Sequence, residues 1–374
     1  MAHFVVVAGE PSGDLLGAKL ISDLKKLNPD HKFSGITGPE MVAEGCESWF
    51  DISDLSVMGL TEVVKHLPRI LKIRKRVIDQ VLSLKPDAYI GIDYPEFNLS
   101  IERKIKKQNI KTIQMVCPSF WAWRESRAKK FYSAVDLMLC LFPFEPELLN
   151  DKGVNARFIG HPLAEKIAIE QTNTLSSSNQ KINIALLPGS RKSEIEFHLS
   201  TMLDSALMIQ KELESESKKC IFNIPTRFSD IDERIQSQKK YSNLNYYIQS
   251  DSGKCISESD LVIAKSGTST LESALYKKPT IVVYKMSSLS FFLIKRFNLV
   301  SVKYASLPNI LLGYEYFKEF LQKDFNAKNI SDEALRLLYN TSNDYSDPLI
   351  DLHLKLLAPD ETNVATEIAS FLER

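Results

Sequence analysis

The sequence predicts an α/β protein of two Rossmann-like lobes, each built on a parallel sheet with helices between its strands. Three observations predict it. Short, β-rich apolar runs alternate with helical segments through both halves of the chain. At 374 residues the chain is too long for one ordinary core. A polar, low-complexity stretch, Gln171–Gln180, separates the two alternating units and reads as a linker.

In the first unit Phe4–Ala8 reads as a strand and Leu15–Leu27 as a helix. Phe33–Thr37 and Ala88–Ile92 are strands, and Ile101–Gln108 is a helix. Lys111–Val116 and Leu137–Phe142 again have strand character, and Ala156–Ile159 closes the unit. Strand, helix, strand in this rhythm needs right-handed crossovers and therefore a parallel sheet. The second unit keeps the rhythm without repeating the sequence. Its strands are Ile182–Leu187, Cys220–Ile224, Tyr246–Ile248, Leu261–Ala264 and Thr280–Tyr284, with a helix around Leu199–Leu213. An amphipathic helix is expected from about Asp360 to Leu372. The predicted organisation is residues 1–170, 171–345 and a helical segment 346–374.

Composition excludes several classes. A hydrophobic content of 44% with 25% charged residues is that of a soluble globular protein. The formal net charge is zero, so no global field favours nucleic acid. The five cysteines are scattered and lack C-x-x-C spacing, which argues for reduced thiols in the cytoplasm and against a zinc site. Phe4–Ala8 is short and lacks a basic lead, so it is a first strand and not a signal peptide. No uncharged apolar run reaches the length of a membrane span; Leu289–Ile294 is cut by Lys295 and Arg296. Neither G-x-x-x-x-G-K-[ST] nor G-x-G-x-x-G occurs, so an ATPase P-loop and a dinucleotide fingerprint are unsupported.

The richest string is Ile263–Glu272: a buried strand end, a Ser266-Gly267 turn, and a helix opened by Thr268. Such an N-terminus presents unpaired N–H groups and a positive dipole end to a diphosphate. Glu272, one turn in, is placed to accept ribose hydroxyls; the plainer reading makes Thr268 only a helix cap. A second turn, Pro188-Gly189-Ser190-Arg191, ends the strand Ile182–Leu187, and Arg191 there can fork two hydrogen bonds to phosphate oxygens. Ligands in such sheets bind beyond the carboxyl ends of the strands, where both turns fall.

In the first lobe Glu10 and Asp14 follow the first strand across a Gly turn and suit a hydroxyl-rich ligand, although Ser12 or Asp14 as a plain helix cap fits as well. Asp93 follows an apolar strand directly, and a partly desolvated carboxylate at a strand tip is a credible general base. Glu96 is the competing acid. The run Pro118–Arg127 concentrates two tryptophans and two arginines, of which Trp123 and Arg124 are candidates for holding sugar, acyl chain or phosphate. His161 either faces the crevice or locks the junction of the lobes. Leu60, Val63, Val64, Leu67 and Leu71 recur at helical spacing with basic residues between and after them. That composition suits a helix lying on anionic lipid, or else a core stripe, with Pro68 dividing it into two helices. Asp230-Ile231-Asp232 spells D-x-D but reads as a helix start.

Taken in order, these strings resemble the lipid-A-disaccharide synthases, inverting glycosyltransferases of lipid A assembly. The matching segments are Ala8–Asp14, Gly91–Asn98, Pro118–Arg124, Phe142–Glu145, Phe158–His161, Leu187–Arg191, Ser266–Thr268 with Glu272, and Ser306–Asn309. They span nearly the whole chain. The resemblance implies a GT-B-like fold whose C-terminal helix returns to the N-terminal lobe. It also implies transfer of 2,3-diacylglucosamine from its UDP conjugate to the 6-hydroxyl of 2,3-diacylglucosamine 1-phosphate, without metal or other cofactor. By position Asp93 becomes the base, directly or through Glu10. Arg191, Ser190, Gly189, the Ser266–Thr268 turn and Asn309 become diphosphate ligands, and Glu272 the ribose ligand; Asn98 joins the substrate-binding set. The implied location is cytoplasmic, peripheral on the inner membrane, with an oligomer compatible. Pro11, Tyr94 and Glu96 depart from the family pattern and bear on the acceptor pocket. An epimerase or peptidoglycan-type transferase of the same fold is the alternative enzyme, and a membrane-associated nucleotide-sugar-binding protein the alternative without catalysis.

Overall fold

The computed structural model describes residues 1–55, 60–119, 133–169, 181–287, 302–339, 346–359 and 363–373, with Phe291 and Arg296. The chain divides into two units, Met1–Glu165 with Leu356–Arg374, and Lys166–Lys355. The break therefore falls later than position 346: the helix Ser346–Leu356 lies almost wholly in the second unit. The expected linker Gln171–Gln180 lies outside the described residues.

The first unit carries seven parallel strands: β1 (His3–Ala8), β2 (Lys32–Thr37), β3 (Glu47–Asp51), β4 (Ala88–Ile92), β5 (Lys111–Met115), β6 (Leu137–Cys140) and β7 (Ala156–Phe158), in the order β3-β2-β1-β4-β5-β6-β7. β1 and β4 form the middle of its core, with Val5, Val6, Val7 and Ile90 fully buried, because a parallel sheet is covered on both faces. The second unit has six: β8 (Lys181–Leu187), β9 (Lys219–Pro225), β10 (Tyr246–Gln249), β11 (Leu261–Lys265), β12 (Thr280–Tyr284) and β13 (Lys318–Leu321), ordered β10-β9-β8-β11-β12-β13. β3 and β13 lack the continuous apolar run that marks a central strand, since both are edge strands and partly exposed.

Each sheet reverses its winding once, between β1 and β4 in the first and between β8 and β11 in the second. There the connections leave in opposite directions and open a notch at the carboxyl ends of the strands. All four motif turns picked out above follow these four strands.

The helix Leu60–Leu84 runs unbroken through Pro68, contrary to the expected division. A proline inside a helix costs about 3 kcal/mol. Burial of Ile70, Ile73, Val77, Ile78 and Val81 against the sheet, at about 1.5–3 kcal/mol each, outweighs it. Among the described residues no helix is long and apolar enough to cross a membrane.

The last helix, Val364–Leu372, places Ala365 and Ile368 in the core of the first unit beside residues of β1 and the helix Pro11–Leu27. Replacing Ile368 by Ala is expected to cost that unit about 2–5 kcal/mol. Thermal or urea denaturation of the full chain reads this as an earlier midpoint for one transition; an unchanged midpoint would remove the helix from the core.

Candidate active site

In the first unit the notch is made by the turns after β1 and β4. Their register sets Ala8 beside Ile92, so Glu10 and Asp93 leave the sheet from neighbouring strand ends. Asp93 is partly buried with its backbone in the left-handed region (φ 51°), and Tyr94 follows at φ 46°. The Tyr94 ring lies across Gly9, where a β-carbon would come within 2.7 Å of it. Desolvation raises the Asp93 carboxyl above its usual range; Glu96 adds to the rise and the Tyr94 N–H opposes it. Glu10 is exposed at the N-cap of the helix Pro11–Leu27 and makes no side-chain cap. A desolvated carboxyl beside an open, acidic strand end is suited to taking a proton from a hydroxyl.

Several residues expected at this site serve the scaffold instead. Asp14 does not cap its own helix, which begins at Pro11. It is 1% exposed, and its carboxylate accepts the N–H groups of Gly38 (2.8 Å), Glu40 (3.0 Å) and Met41 (3.1 Å), capping the helix Pro39–Ala43. Asn98 is fully buried beneath Asp93, donating to its carbonyl (2.9 Å) and accepting from the Tyr89 hydroxyl (2.8 Å). His161 is buried, and burial lowers its pKa to about 4. Its Nδ1 accepts the Leu163 N–H, while its own backbone N–H donates to Leu356 O at 2.8 Å, where the chain re-enters the first unit. It locks a chain crossing. Trp123 and Arg124 lie outside the described residues.

The second notch brings together the two turns that the sequence separates by more than seventy residues. Leu187 of β8 stands beside Ala264 of β11. Gly189 has φ 122°, and a β-carbon there would lie 2.6 Å from the Glu194 side chain, so the turn needs glycine. Arg191 opens the helix Lys192–Ser215 with its side chain 69% exposed. The helix Thr268–Leu275 starts at the exposed Thr268, and Glu272 is half-buried one turn along. Burial raises the Glu272 carboxyl, Lys166 opposes this and Asp251 adds to it. Ser266 turns inward, its hydroxyl donating to Ala305 O at 2.6 Å. Asn309 is likewise engaged from within the protein. Its amide donates to Phe317 O and Glu319 Oε1 (both 2.8 Å) and accepts the N–H groups of Tyr316 and Phe317 (both 2.9 Å), which fills the two donors and two lone pairs it has.

Glu194 and Lys265, absent from the sequence-based site, tie the two turns together. Glu194 Oε2 accepts the Ser190 N–H (3.0 Å), and Oε1 accepts Lys265 Nζ (3.0 Å) and Arg191 Nη1 (3.4 Å). Burial alone would raise the Glu194 carboxyl, but Lys265, the Ser190 amide and Arg191 hold it below its usual range. The only signal available in sequence was a glutamate three residues into a helix, the capping-box position.

Among the described residues, one group has metal-ligand character: buried Cys117, Cys140 and Glu145, whose ligand atoms lie within 4.8 Å of one another. The sequence hides it because Cys117 follows β5, whereas Cys140 ends β6 and Glu145 opens the helix after it. Asp232 of the D-x-D string is engaged by the Tyr246 hydroxyl (2.7 Å) and the Gln236 amide (2.9 Å), in a helix starting at Ile231.

Solved structures share this architecture. A UDP-GlcNAc 2-epimerase from Neisseria meningitidis bound to UDP-GlcNAc matches with TM-score 0.60 over 100% of both chains at 14% identity. MurG of Acinetobacter baumannii matches with TM-score 0.57 over 100% of this chain and 99% of that one, also at 14% identity. Two Rossmann-like units, each with a turn-lined notch at its winding reversal, are the GT-B architecture of nucleotide-sugar enzymes. The family model for lipid-A-disaccharide synthetase matches residues 4–370. The lipid-A-disaccharide synthase of Methylobacillus flagellatus is 39% identical over 98% of this chain and 99% of its own length. That of Pseudoalteromonas translucida is 41% identical over 90% of this chain and 89% of its own. The chain belongs to the lipid-A-disaccharide synthase family, and is an enzyme, a glycosyltransferase.

The Asp14 geometry makes a prediction. Asp14→Ala leaves three amides unpaired at about 1–3 kcal/mol each, so it lowers the melting temperature while folded molecules keep their turnover. An unchanged melting temperature with lost turnover would give Asp14 a direct part in catalysis instead.

Proposed function

We propose that the enzyme moves 2,3-diacylglucosamine from UDP-2,3-diacylglucosamine to the 6-hydroxyl of 2,3-diacylglucosamine 1-phosphate. The products are the β-1,6-linked disaccharide 1-phosphate and UDP. The observation that carries this reading is Asp93: a desolvated carboxyl of raised pKa at the winding reversal of the first sheet. Asp93 takes the proton of the acceptor hydroxyl, with Glu10 beside it. The oxygen attacks the anomeric carbon from the face opposite the diphosphate, the bond from that carbon to the phosphate oxygen breaks, and the centre inverts. The second unit holds UDP: Arg191 and the amides at the start of the helix Thr268–Leu275 meet the growing charge on the diphosphate, and Glu272 takes the ribose. Asn309, Ser266 and Asn98 act from behind, holding the turns that make these contacts.

The helix Leu60–Leu84 is the proposed contact with anionic lipid of the inner membrane. Leu67 (46%) and Leu71 (42%) are exposed, with Lys72, Lys75 and Arg76 also on the surface. Of the side chains of Leu60, Val63 and Val64, which complete the expected stripe, nothing is described.

The deciding experiment mixes purified enzyme with UDP-2,3-diacylglucosamine and follows UDP release with and without the 1-phosphate acceptor. Acceptor-dependent release is expected, and Asp93→Ala lowers it about 10²- to 10⁴-fold while UDP affinity stays near wild type. Loss of UDP binding in that variant removes Asp93 from the role of base. Arg191→Ala weakens UDP binding and rate together. Since a base works only when deprotonated, turnover falls as pH drops through the Asp93 pKa, at a pH above the ordinary aspartate range. An acid limb at ordinary aspartate values contradicts this. Leu67→Ser with Leu71→Ser releases the protein from anionic vesicles at unchanged melting temperature; continued binding assigns the stripe another role.

A further inference from the structure

Beneath Asp93 lies a closed set of polar side chains that the proton transfer itself does not use. Tyr89, Asn98, Glu102 and Gln114 are all fully buried, on β4, β5 and the helix Pro95–Ile105 that covers them. Above them Asp93 and Tyr94 hold left-handed backbone, which costs residues other than glycine about 1–2 kcal/mol each. Three hydrogen bonds secure the Asp93 peptide groups. Its N–H donates to Met115 O (2.9 Å), and its carbonyl accepts from Asn98 Nδ2 (2.9 Å) and Gln114 Nε2 (3.1 Å).

The two amides differ in how they are themselves oriented. The Asn98 oxygen accepts from the Tyr89 hydroxyl, so its NH₂ group must face Asp93. Gln114 Oε1 has no donor, and neither carboxyl oxygen of Glu102 has one either. Three buried acceptors without a proton among them are costly, and a single proton removes the charge and pairs two of the three oxygens with each other. Gly91 leaves the gap in which this happens. A β-carbon there would lie 2.6 Å from Gln114 Oε1 and 2.7 Å from Glu102 Oε1, so the two oxygens flank one small space.

We propose that Glu102 is a positioning residue that is protonated in the working enzyme: its carboxyl O–H donates to Gln114 Oε1, and Gln114 in turn holds the Asp93 carbonyl. Burial pushes the Glu102 carboxyl well above its usual range, and Asp136 pushes the same way. Lys106 opposes, but its ammonium is paired with Asp136 at 2.9 Å. Tyr89, the other titratable group facing Glu102, is also kept neutral by burial. Ionised, Glu102 would draw the Gln114 NH₂ group to itself and turn Oε1 against the Asp93 carbonyl. The strand tip would then lose one of its two carbonyl donors and gain a repulsion. This inference rests on Asp93 as the base and adds what fixes it.

The test compares Glu102→Gln, Glu102→Met, Gln114→Leu and Asp93→Asn in the full chain, by turnover with both substrates, acceptor KM and UDP Kd. Glu102→Gln keeps a neutral donor of the same shape and is expected to stay within about threefold of wild-type kcat. Glu102→Met supplies no donor and is expected to lower kcat about tenfold or more, with acceptor KM and UDP Kd near wild type, as misplacement of a reacting group does. Gln114→Leu should give the same fall, which keeps the test decisive where Glu102→Met does not fold. Wild-type kcat in Glu102→Met or Gln114→Leu, or a Glu102→Gln as impaired as Glu102→Met, overturns the positioning role alone. Wild-type turnover in Asp93→Asn overturns the base, and this inference with it.

Discussion

The constraint on which this enzyme is built is that a parallel sheet wound in two directions must part its connections somewhere. At β1 and β4, and again at β8 and β11, adjacent strands end side by side and their chains turn away to opposite faces. The peptide groups at those ends have no sheet partner beyond the last residue, so they must be satisfied by turns, side chains or a ligand. In each unit the local sequence answers this with short turns, a glycine where backbone and side chain crowd, and a helix starting at once. The chemistry then needs only a few side chains on a scaffold that has already exposed the right backbone.

The two notches are equipped in opposite senses. The first gathers carboxyl groups, and burial raises the Asp93 carboxyl above its usual range. The second gathers cations and helix N-termini around Glu194, which bonds to one turn through the Ser190 amide and to the other through Lys265.

Central strands were legible in the sequence because burial on both faces demands unbroken β-branched and aliphatic runs, as in Phe4–Ala8 and Leu261–Ala264. Two of the four edge strands were not: Glu47–Asp51 and Lys318–Leu321 pair on one side and carry the polar residues that exposure allows, whereas Ala156–Phe158 and Tyr246–Gln249 kept enough apolar character to be read. The motif turns could be read because glycine, proline and a following helix period leave a local mark. What each polar residue in them does could not. Asp14, Asn98 and Asn309 carry the same chemistry whether they meet a ligand or a backbone, and only the fold shows that each is saturated from inside. Glu194 and Lys265 escaped notice for a related reason, since their partnership spans two strands and a helix. Pro68 was misjudged because its cost is local while the compensation is spread over the next four turns.

The first unit is discontinuous, beginning at Met1 and ending with the segment Leu356–Arg374. On the ribosome its sheet emerges before the second unit, yet Ala365 and Ile368, which fill its core, emerge only after it. The second unit is contiguous and can finish folding while the first still waits with apolar surface uncovered. The order of synthesis is thus the reverse of the order of completion. Between the two, the nascent chain carries uncovered apolar surface, and that interval is when chaperones or aggregation have their access to it.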